Sequence, residues 1–81
     1  APEIDPDGGT FGAQTDITIT VPENCKVYYT WDSSDPSAAS TEYTAPIPVP
    51  EGNNVLSVIA IDQNTGKCSD IYRSRFEFYM N

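Results

Sequence analysis

The apolar side chains of this chain recur with a period of two, and no stretch shows a helical period long enough to predict a helix. The clearest case is Thr15 to Val21, in which Ile17, Ile19 and Val21 alternate with polar residues. Successive side chains of a strand point to opposite faces of a sheet, so this segment presents one apolar face and one polar face. The pattern is typical of a half-buried strand and predicts an all-β chain.

Three further segments are predicted as core strands by the same alternation. They are Lys26 to Trp31 with Val27 and Tyr29 inward, Val55 to Asp62 with Leu56, Val58 and Ala60 inward, and Ser69 to Met80 with Tyr72, Phe76 and Phe78 inward. The second of these is the most apolar run, which predicts a central position in its sheet. Turn-forming residues predict a hairpin turn at Gln63 to Lys67.

Three prolines constrain the segment 42–50. Pro46, Pro48 and Pro50 occupy alternate positions, so all three lack an N–H on the same edge of a strand. We therefore expect an edge strand that cannot accept a neighbour on its proline side. A polyproline II ligand for a signalling domain is the alternative interpretation, although the apolar residues between the prolines favour burial.

The first residues are interpreted as a linker that passes into an edge strand. Ala1 to Asp7 is extended and contains prolines, with Ile4 as the apolar side chain able to dock inward. Three glycines within residues 8–12 surround Phe11, which predicts a tight turn or bulge with positive φ and places Phe11 at the end of the core. A phosphate-binding loop is the alternative, but no helix pattern follows to supply N-terminal N–H groups.

The chain length allows one domain and no second core. A chain of 81 residues buries only about 60% of the surface that its unfolded form exposes, so we expect one marginally stable module over residues 1–81. Twelve acidic and four basic residues give a net charge of −8, which disfavours nucleic acid and anionic membranes as partners. No apolar run reaches the roughly 18 residues of a membrane span. We expect a monomer, because the charge and the proline edge both oppose self-association.

The residue types that catalysis requires are scarce. The chain has no His, its two thiols have no neighbouring base, and its lysines lie at strand and turn edges where nothing desolvates them. A carboxylate pair such as Asp32 and Asp35 would need a substrate cleft that so small a domain rarely encloses. We expect no enzyme activity, no cofactor and no metal site.

The strand that ends at Trp31 runs directly into a polar loop. Asp32 and Asp35 can bond nearby backbone N–H groups there; calcium is the alternative, although a calcium site needs six to eight oxygens. As a binding surface, Trp31 and Tyr28 would stack on a sugar ring while Asp32 bonds its hydroxyls. A flat strand sends Trp31 and Tyr28 to opposite faces, and packing of Trp31 at the rim of the core is the competing interpretation.

Tyr29 to Pro36 read YTWDSSDP, which closely resembles a family pattern of the form YTxDGxxP. Ser33 replaces the Gly that is usual in this loop, and Trp31 stands where a small polar residue is usual. The likeness extends over nearly the whole chain, with Pro6 and Gly8 to Phe11 similar to a PxxGGTF-like opening, Tyr43 with Pro46 and Ile47 to a YxxPI-like element, and Val58 to Ala60 to a VxA-like strand. On these motifs the chain resembles the chitobiase/β-hexosaminidase C-terminal-like domain family, also called fibronectin-type-III-associated.

This resemblance implies an immunoglobulin-like antiparallel β-sandwich of about seven short strands. It also implies a non-catalytic accessory domain, a spacer or packing module of a larger bacterial protein that is exported or attached to the cell surface. The expected partners are then neighbouring domains of that protein. The alternative is a carbohydrate- or protein-binding module that uses Trp31 and the loop Asp32 to Asp35. Its partner would then include a polysaccharide.

The implied topology also bears on the two cysteines. Cys25 and Cys68 each precede a strand, and in an immunoglobulin-like sandwich those two loops lie at the same end. We therefore expect a disulfide between them if they are oxidised, which export would favour. An anaerobic host would leave two free thiols instead.

Overall fold

A computed structural model describes residues 2–79, which form two β-sheets and no helix. The strands in chain order are β1 (Ile4–Asp5), β2 (Gly9–Phe11), β3 (Asp16–Ile19), β4 (Cys25–Thr30), β5 (Thr41–Glu42), β6 (Ile47–Pro48), β7 (Gly52–Asp62) and β8 (Tyr72–Phe78). The small sheet has the order β1-β3-β6 and the large sheet the order β2-β8-β7-β4-β5. The predicted all-β, immunoglobulin-like sandwich is confirmed. Ala1 of the predicted linker and Met80 of the predicted last strand lie outside the described residues.

The strand pairs are antiparallel except one. β2 runs parallel to β8, with Gly9 opposite Phe76 and Phe11 opposite Phe78. Every other pair is antiparallel, including the long β4–β7 and β7–β8 pairs that make up the centre of the large sheet. Across the part of the chain that the structure describes, no helix has the length and apolar character needed to cross a membrane.

The core lies between the two sheets and its residues follow the predicted alternation, whereas β7 is buried on both faces from Leu56 to Ala60. β7 is the central strand of the large sheet, and its predicted inward residues are all buried there. The core cluster comprises Ile4, Ile17, Ile19, Val27, Ile47, Val49, Leu56, Val58, Ala60, Phe76 and Phe78. Val21 was predicted to belong to this set and does not, because β3 ends at Ile19 and Val21 is 43% exposed. The chain leaves the sheet here for a turn in which the Cys25 N–H donates to the Pro22 carbonyl.

The predicted proline strand is two strands in different sheets. β5 pairs with β4 in the large sheet, and β6 pairs with β3 at the edge of the small sheet. Tyr43 links the two sheets, because its N–H donates to the Val27 carbonyl and its hydroxyl accepts from the Ile19 N–H. The edge position is confirmed, and Pro46 and Pro48 are exposed on it.

The first eleven residues also contribute to both sheets. β1 pairs with β3, placing Ile4 opposite Ile19, and the chain then crosses to the large sheet as β2. Ile4 is buried, and Gly8 and Gly9 have the positive φ angles that their pattern predicted, 77° and 129°. The segment interpreted as a linker is therefore an integral part of the sandwich from Ile4 onward.

Candidate functional site

Trp31 closes one end of the core. Its ring meets the fully buried ring of Phe76 edge to face, with the ring centroids 5.9 Å apart at 73°. Phe11 stacks on the same ring, with a centroid distance of 6.2 Å. Such aromatic pairs add to the stability that comes from burial, so Trp31 packs against the rim of the core.

Tyr28 lies on the opposite face of the large sheet. It is directly opposite Glu42 of β5 and Ile59 of β7, and directly opposed residues share a face. Trp31, in contrast, packs against the core on the inner face. The structure therefore does not bring Tyr28 and Trp31 together, and no single aromatic platform forms from them.

The loop after Trp31 is held by its own side chains. Oδ1 of Asp32 accepts from the Ser34 hydroxyl at 2.6 Å and from the Ser34 N–H at 3.1 Å. These two donors, the hydroxyl first, hold the pKa of the Asp32 carboxyl below its ordinary value. Ser33 has a φ of 65°, the left-handed conformation that explains why the resembling pattern carries Gly there.

This loop crosses the outer face of the large sheet. We call Asp32 to Pro36 the strap. On the β4 side the Thr30 hydroxyl donates to the Ser34 carbonyl at 2.8 Å, and on the β8 side Arg73 donates to Asp35 at 2.5 Å. Thr30 and Arg73 lie opposite Ser57 of β7, one on each side. The strap therefore passes over Ser57, which explains why this outward-facing residue has no exposed surface.

The strap carboxylates are occupied by these contacts. Asp32 bonds Ser34, and Asp35 makes the one salt bridge found within residues 2–79. No group of three potential ligand residues that could hold a metal ion occurs in that range. Chemically, Asp32 and Asp35 act here as hydrogen-bond acceptors that fix the loop.

Cys25 and Cys68 are not brought together. Both thiols are free, and β7 lies between the two residues, with Cys25 opposite Asp62 on one side and Cys68 opposite Ile61 on the other. Because Ile61 and Asp62 are consecutive in a strand, the two cysteines project from opposite faces. Two interstrand spacings of about 4.8 Å each also exceed the Cα separation that a disulfide allows. The expected pair is therefore absent from the structure.

An open cleft lies between the start of the chain and β8. It has a volume of about 420 Å³ and is lined by Pro2, Glu3, Ile4, Asp7 and Tyr72. The sequence assigned Asp7 to a linker and Tyr72 to the core, and it gave no signal that the two would meet. Only the crossing of the first segment from the small sheet to the large one creates this cleft.

Asp7 and Tyr72 are joined by a hydrogen bond across the cleft. The Tyr72 hydroxyl donates to Oδ2 of Asp7, and the Ser74 hydroxyl donates to Oδ1 at 2.8 Å. The bond from Tyr72, followed by that from Ser74, holds the pKa of the Asp7 carboxyl below its ordinary value. The same bond to an anion raises the pKa of the Tyr72 hydroxyl. Asp7 is thus kept ionised and fixed, and it ties the crossing segment to β8.

One protein-family model matches most of the chain. The model of the family described as chitobiase/beta-hexosaminidase C-terminal domain matches residues 6–73. That range begins one residue before Asp7 and includes the strap, the proline edge and the start of β8. No curated protein and no solved structure matches the chain.

Proposed function

The chain belongs to the chitobiase/beta-hexosaminidase C-terminal domain family, and from this premise we propose that it is a non-catalytic spacer domain. The family is an accessory, carbohydrate-associated one, and such accessory domains of glycoside hydrolases suggest an extracellular or secreted protein. In our proposal the domain belongs to an exported or surface-attached bacterial protein. It holds a neighbouring domain of that protein at a fixed distance and acts as a monomer.

One observation carries this proposal: the chain enters and leaves the sandwich at opposite ends. Pro2 and Ile4 line a cleft with Tyr72, at the first residue of β8, whereas the chain departs after Phe78, its last residue. Seven residues of strand at about 3.3 Å each separate these points by about 20 Å. Two flanking domains attached at these points are therefore held apart by the length of β8.

The geometry of the predicted site residues also favours a spacer. Trp31 packs on Phe76, and the strap carboxylates bond Ser34 and Arg73. These side chains stabilise the sandwich and leave no preformed aromatic platform between Trp31 and Tyr28. Asp7 likewise accepts hydrogen bonds from Tyr72 and Ser74 and thereby ties the first segment to β8.

The spacer proposal is tested by the distance that the domain sets. Two reporter domains joined through residues 1–81 should show one narrow distribution of inter-reporter distances by pulsed electron resonance or single-molecule energy transfer. A Gly/Ser linker of equal length is the control and should give a broad distribution, because such linkers are random coils. A distribution as broad as that of the linker would refute the spacer role.

The cleft supports a second candidate, the binding of a neutral sugar. The cleft offers the Tyr72 ring as a wall and carboxylate oxygens of Asp7 and Glu3 as acceptors for hydroxyls. An NMR titration with cell-wall and plant-type oligosaccharides should then shift Ile4, Asp7 and Tyr72 first. Absence of shifts at millimolar sugar would exclude this candidate and leave the spacer test unaffected.

A further inference from the structure

The first strand of the large sheet and its last strand are neighbours and run parallel. β2 is the large sheet's earliest strand in the chain and β8 is its latest, and Thr10 lies opposite Glu77 in their register. Pairing continues just beyond the strands, where the Tyr79 N–H donates to the Phe11 carbonyl at 3.2 Å. The first and last strands of the large sheet are therefore fastened directly to each other, while β1, which precedes them, pairs with β3 in the small sheet.

This arrangement decides how tension would act on the domain. Tension pulls the preceding chain away at the Tyr72 end of β8 and pulls the following chain away at the Phe78 end. The preceding chain first pulls on β1, which is held to β3 by only two residue pairs and one further backbone bond. Once β1 has separated, β2 and β8 are drawn in opposite directions along their common axis. Backbone bonds across a strand pair lie at a large angle to that axis, so they are loaded together in shear. A hairpin opened from its end would instead lose its pairs one after another.

Side chains reinforce the same pair of strands. Asp7, two residues before β2, accepts hydrogen bonds from Tyr72 and Ser74 of β8. Phe11 of β2 stacks on Phe76 of β8. We call Asp7–Phe11 together with Tyr72–Phe78 the terminal clamp. Sliding β2 along β8 would break the carboxylate bonds and the ring contact as well as the backbone pairs.

Gly8 allows the clamp to close this tightly. A Cβ atom at this position would lie 2.8 Å from the Arg75 carbonyl oxygen and 2.9 Å from the Ser74 hydroxyl oxygen. The φ angle of 77° is also one that other residues rarely adopt. Close packing thus explains the glycine at position 8: its backbone contacts the backbone of β8, which leaves no room for a side chain.

We propose that the terminal clamp is a force-bearing element that keeps this domain folded when its parent chain is under tension. The inference rests on the proposed spacer function and adds to it a mechanical property. Two flanking domains on one extended protein transmit force through the spacer between them. The relevant quantity is the unfolding rate along the pulling direction, which equilibrium stability does not determine.

The test is single-molecule pulling of the 81-residue domain in two directions. Attachment at the two chain ends shears the clamp, whereas attachment at Glu51 and the C-terminal end opens β7 from β8 at Gly52 and Phe78. The protein and its equilibrium stability are nearly the same in both experiments. The unfolding force should be roughly twofold or more higher in the first direction, because forced unfolding follows the unfolding rate. Equal forces in the two directions would overturn the proposal.

Substitutions locate the effect. Gly8→Ala should lower the end-to-end unfolding force, as should the pair Tyr72→Phe with Ser74→Ala, which keeps the backbone and removes both donors to Asp7. Gly12→Ala is the neutral control, because a Cβ there meets nothing within 4 Å. Gly66→Ala is the strain control, since Gly66 has a φ of 75° and open space but lies outside the clamp.

The outcomes separate the clamp from the spacer. If Gly66→Ala lowers the force as much as the clamp variants do, general destabilisation is responsible and the clamp is refuted. If Gly8→Ala fails to fold, the double variant and the two pulling directions still decide the question. The inter-reporter distance is measured without force and is independent of the unfolding force. Equal unfolding forces in the two pulling directions together with a narrow distance distribution would therefore refute the clamp and leave the spacer role intact.

Discussion

Arg73 of β8 reaches across the buried Ser57 of β7 to Asp35 of the strap, with Nη2 2.5 Å from Oδ1. The pair is partly open to solvent, since the two side chains are 42% and 77% exposed. Ion pairs this exposed contribute about 0.2–1 kcal/mol to stability. Its position matters more than its strength, because it closes the strap over a residue that would otherwise face water.

We expect Asp35→Asn to lower the free energy of unfolding by less than about 1 kcal/mol at low salt. The loss should shrink further in roughly 1 M NaCl, where the Debye length is only about 3 Å. Urea denaturation at both salt concentrations measures this. Arg73→Gln alone and combined with Asp35→Asn completes a double-mutant cycle, and a coupling that does not respond to salt would contradict the assignment.

Ser57 and Ser74 form a matched pair for hydrogen bonding. Both are buried in the large sheet, but Ser74 donates to Asp7 whereas the Ser57 hydroxyl has no partner. Ser74→Ala should therefore cost about 1 kcal/mol, and Ser57→Ala should be neutral or stabilising by up to about 1 kcal/mol. Chemical denaturation of both variants tests this, and an equal loss in the two would show that Ser57 is hydrogen-bonded after all.

Ser33 is expected to tolerate glycine well. Its φ of 65° costs a non-glycine residue about 1 kcal/mol or more, which glycine avoids, although glycine also gains freedom in the unfolded chain. Ser33→Gly should leave the melting temperature unchanged or raise it. Ala38→Gly, in the same loop but without positive φ, should lower the melting temperature. A lower melting temperature for Ser33→Gly than for Ala38→Gly would disprove the conformational argument.

Asp7 and Tyr72 should give the domain two limits of pH stability. The folded pKa of Asp7 lies below its ordinary value of 3.8, so its contribution is complete above that pH and is lost as the pH falls through the folded pKa. The folded pKa of Tyr72 lies above its ordinary value of 10.0, so its contribution is present below pH 10.0 and is lost as the pH rises through the folded pKa.

Thermal melts of wild type, Asp7→Asn and Tyr72→Phe across pH measure these limits. The gap in melting temperature between wild type and Asp7→Asn should be constant near neutral pH and close in acid. Tyr72→Phe should lose less stability at alkaline pH than wild type does. A gap for Asp7→Asn that widens below pH 3.8 would have the wrong sign.

The two thiols should differ in reactivity in the native state. Cys68 is exposed, while Cys25 is half-buried against the core. Cys68 should react with a thiol reagent at once, and Cys25 only as the sandwich opens. Under mild oxidation we expect no bond between them within one chain. Peptide mapping that recovers Cys25 linked to Cys68 from monomeric protein would contradict the register described above.

Several features of the fold could be predicted from the sequence because they depend on local alternation. The inward residues of β7, the edge position of the prolines and the positive φ at Gly8 each follow from period-two burial or from backbone sterics. The orientation of the Trp31 side chain could not be predicted in this way. Its parity in the strand indicates the inner face, but the loop that follows could have turned it outward. Its contact with Phe76, 45 positions further along the chain, decided for packing.

What the sequence by itself determined is which residues face inward, because strand geometry fixes that alternation without reference to neighbours. Only the tertiary structure decided which strands are neighbours. The pairing of β2 with β8, the strap over Ser57, the bonds from Tyr72 and Ser74 to Asp7, and the separation of the two cysteines all depend on it. Each joins segments distant in the chain, and such contacts depend on the packing of the whole sandwich, which no local pattern encodes.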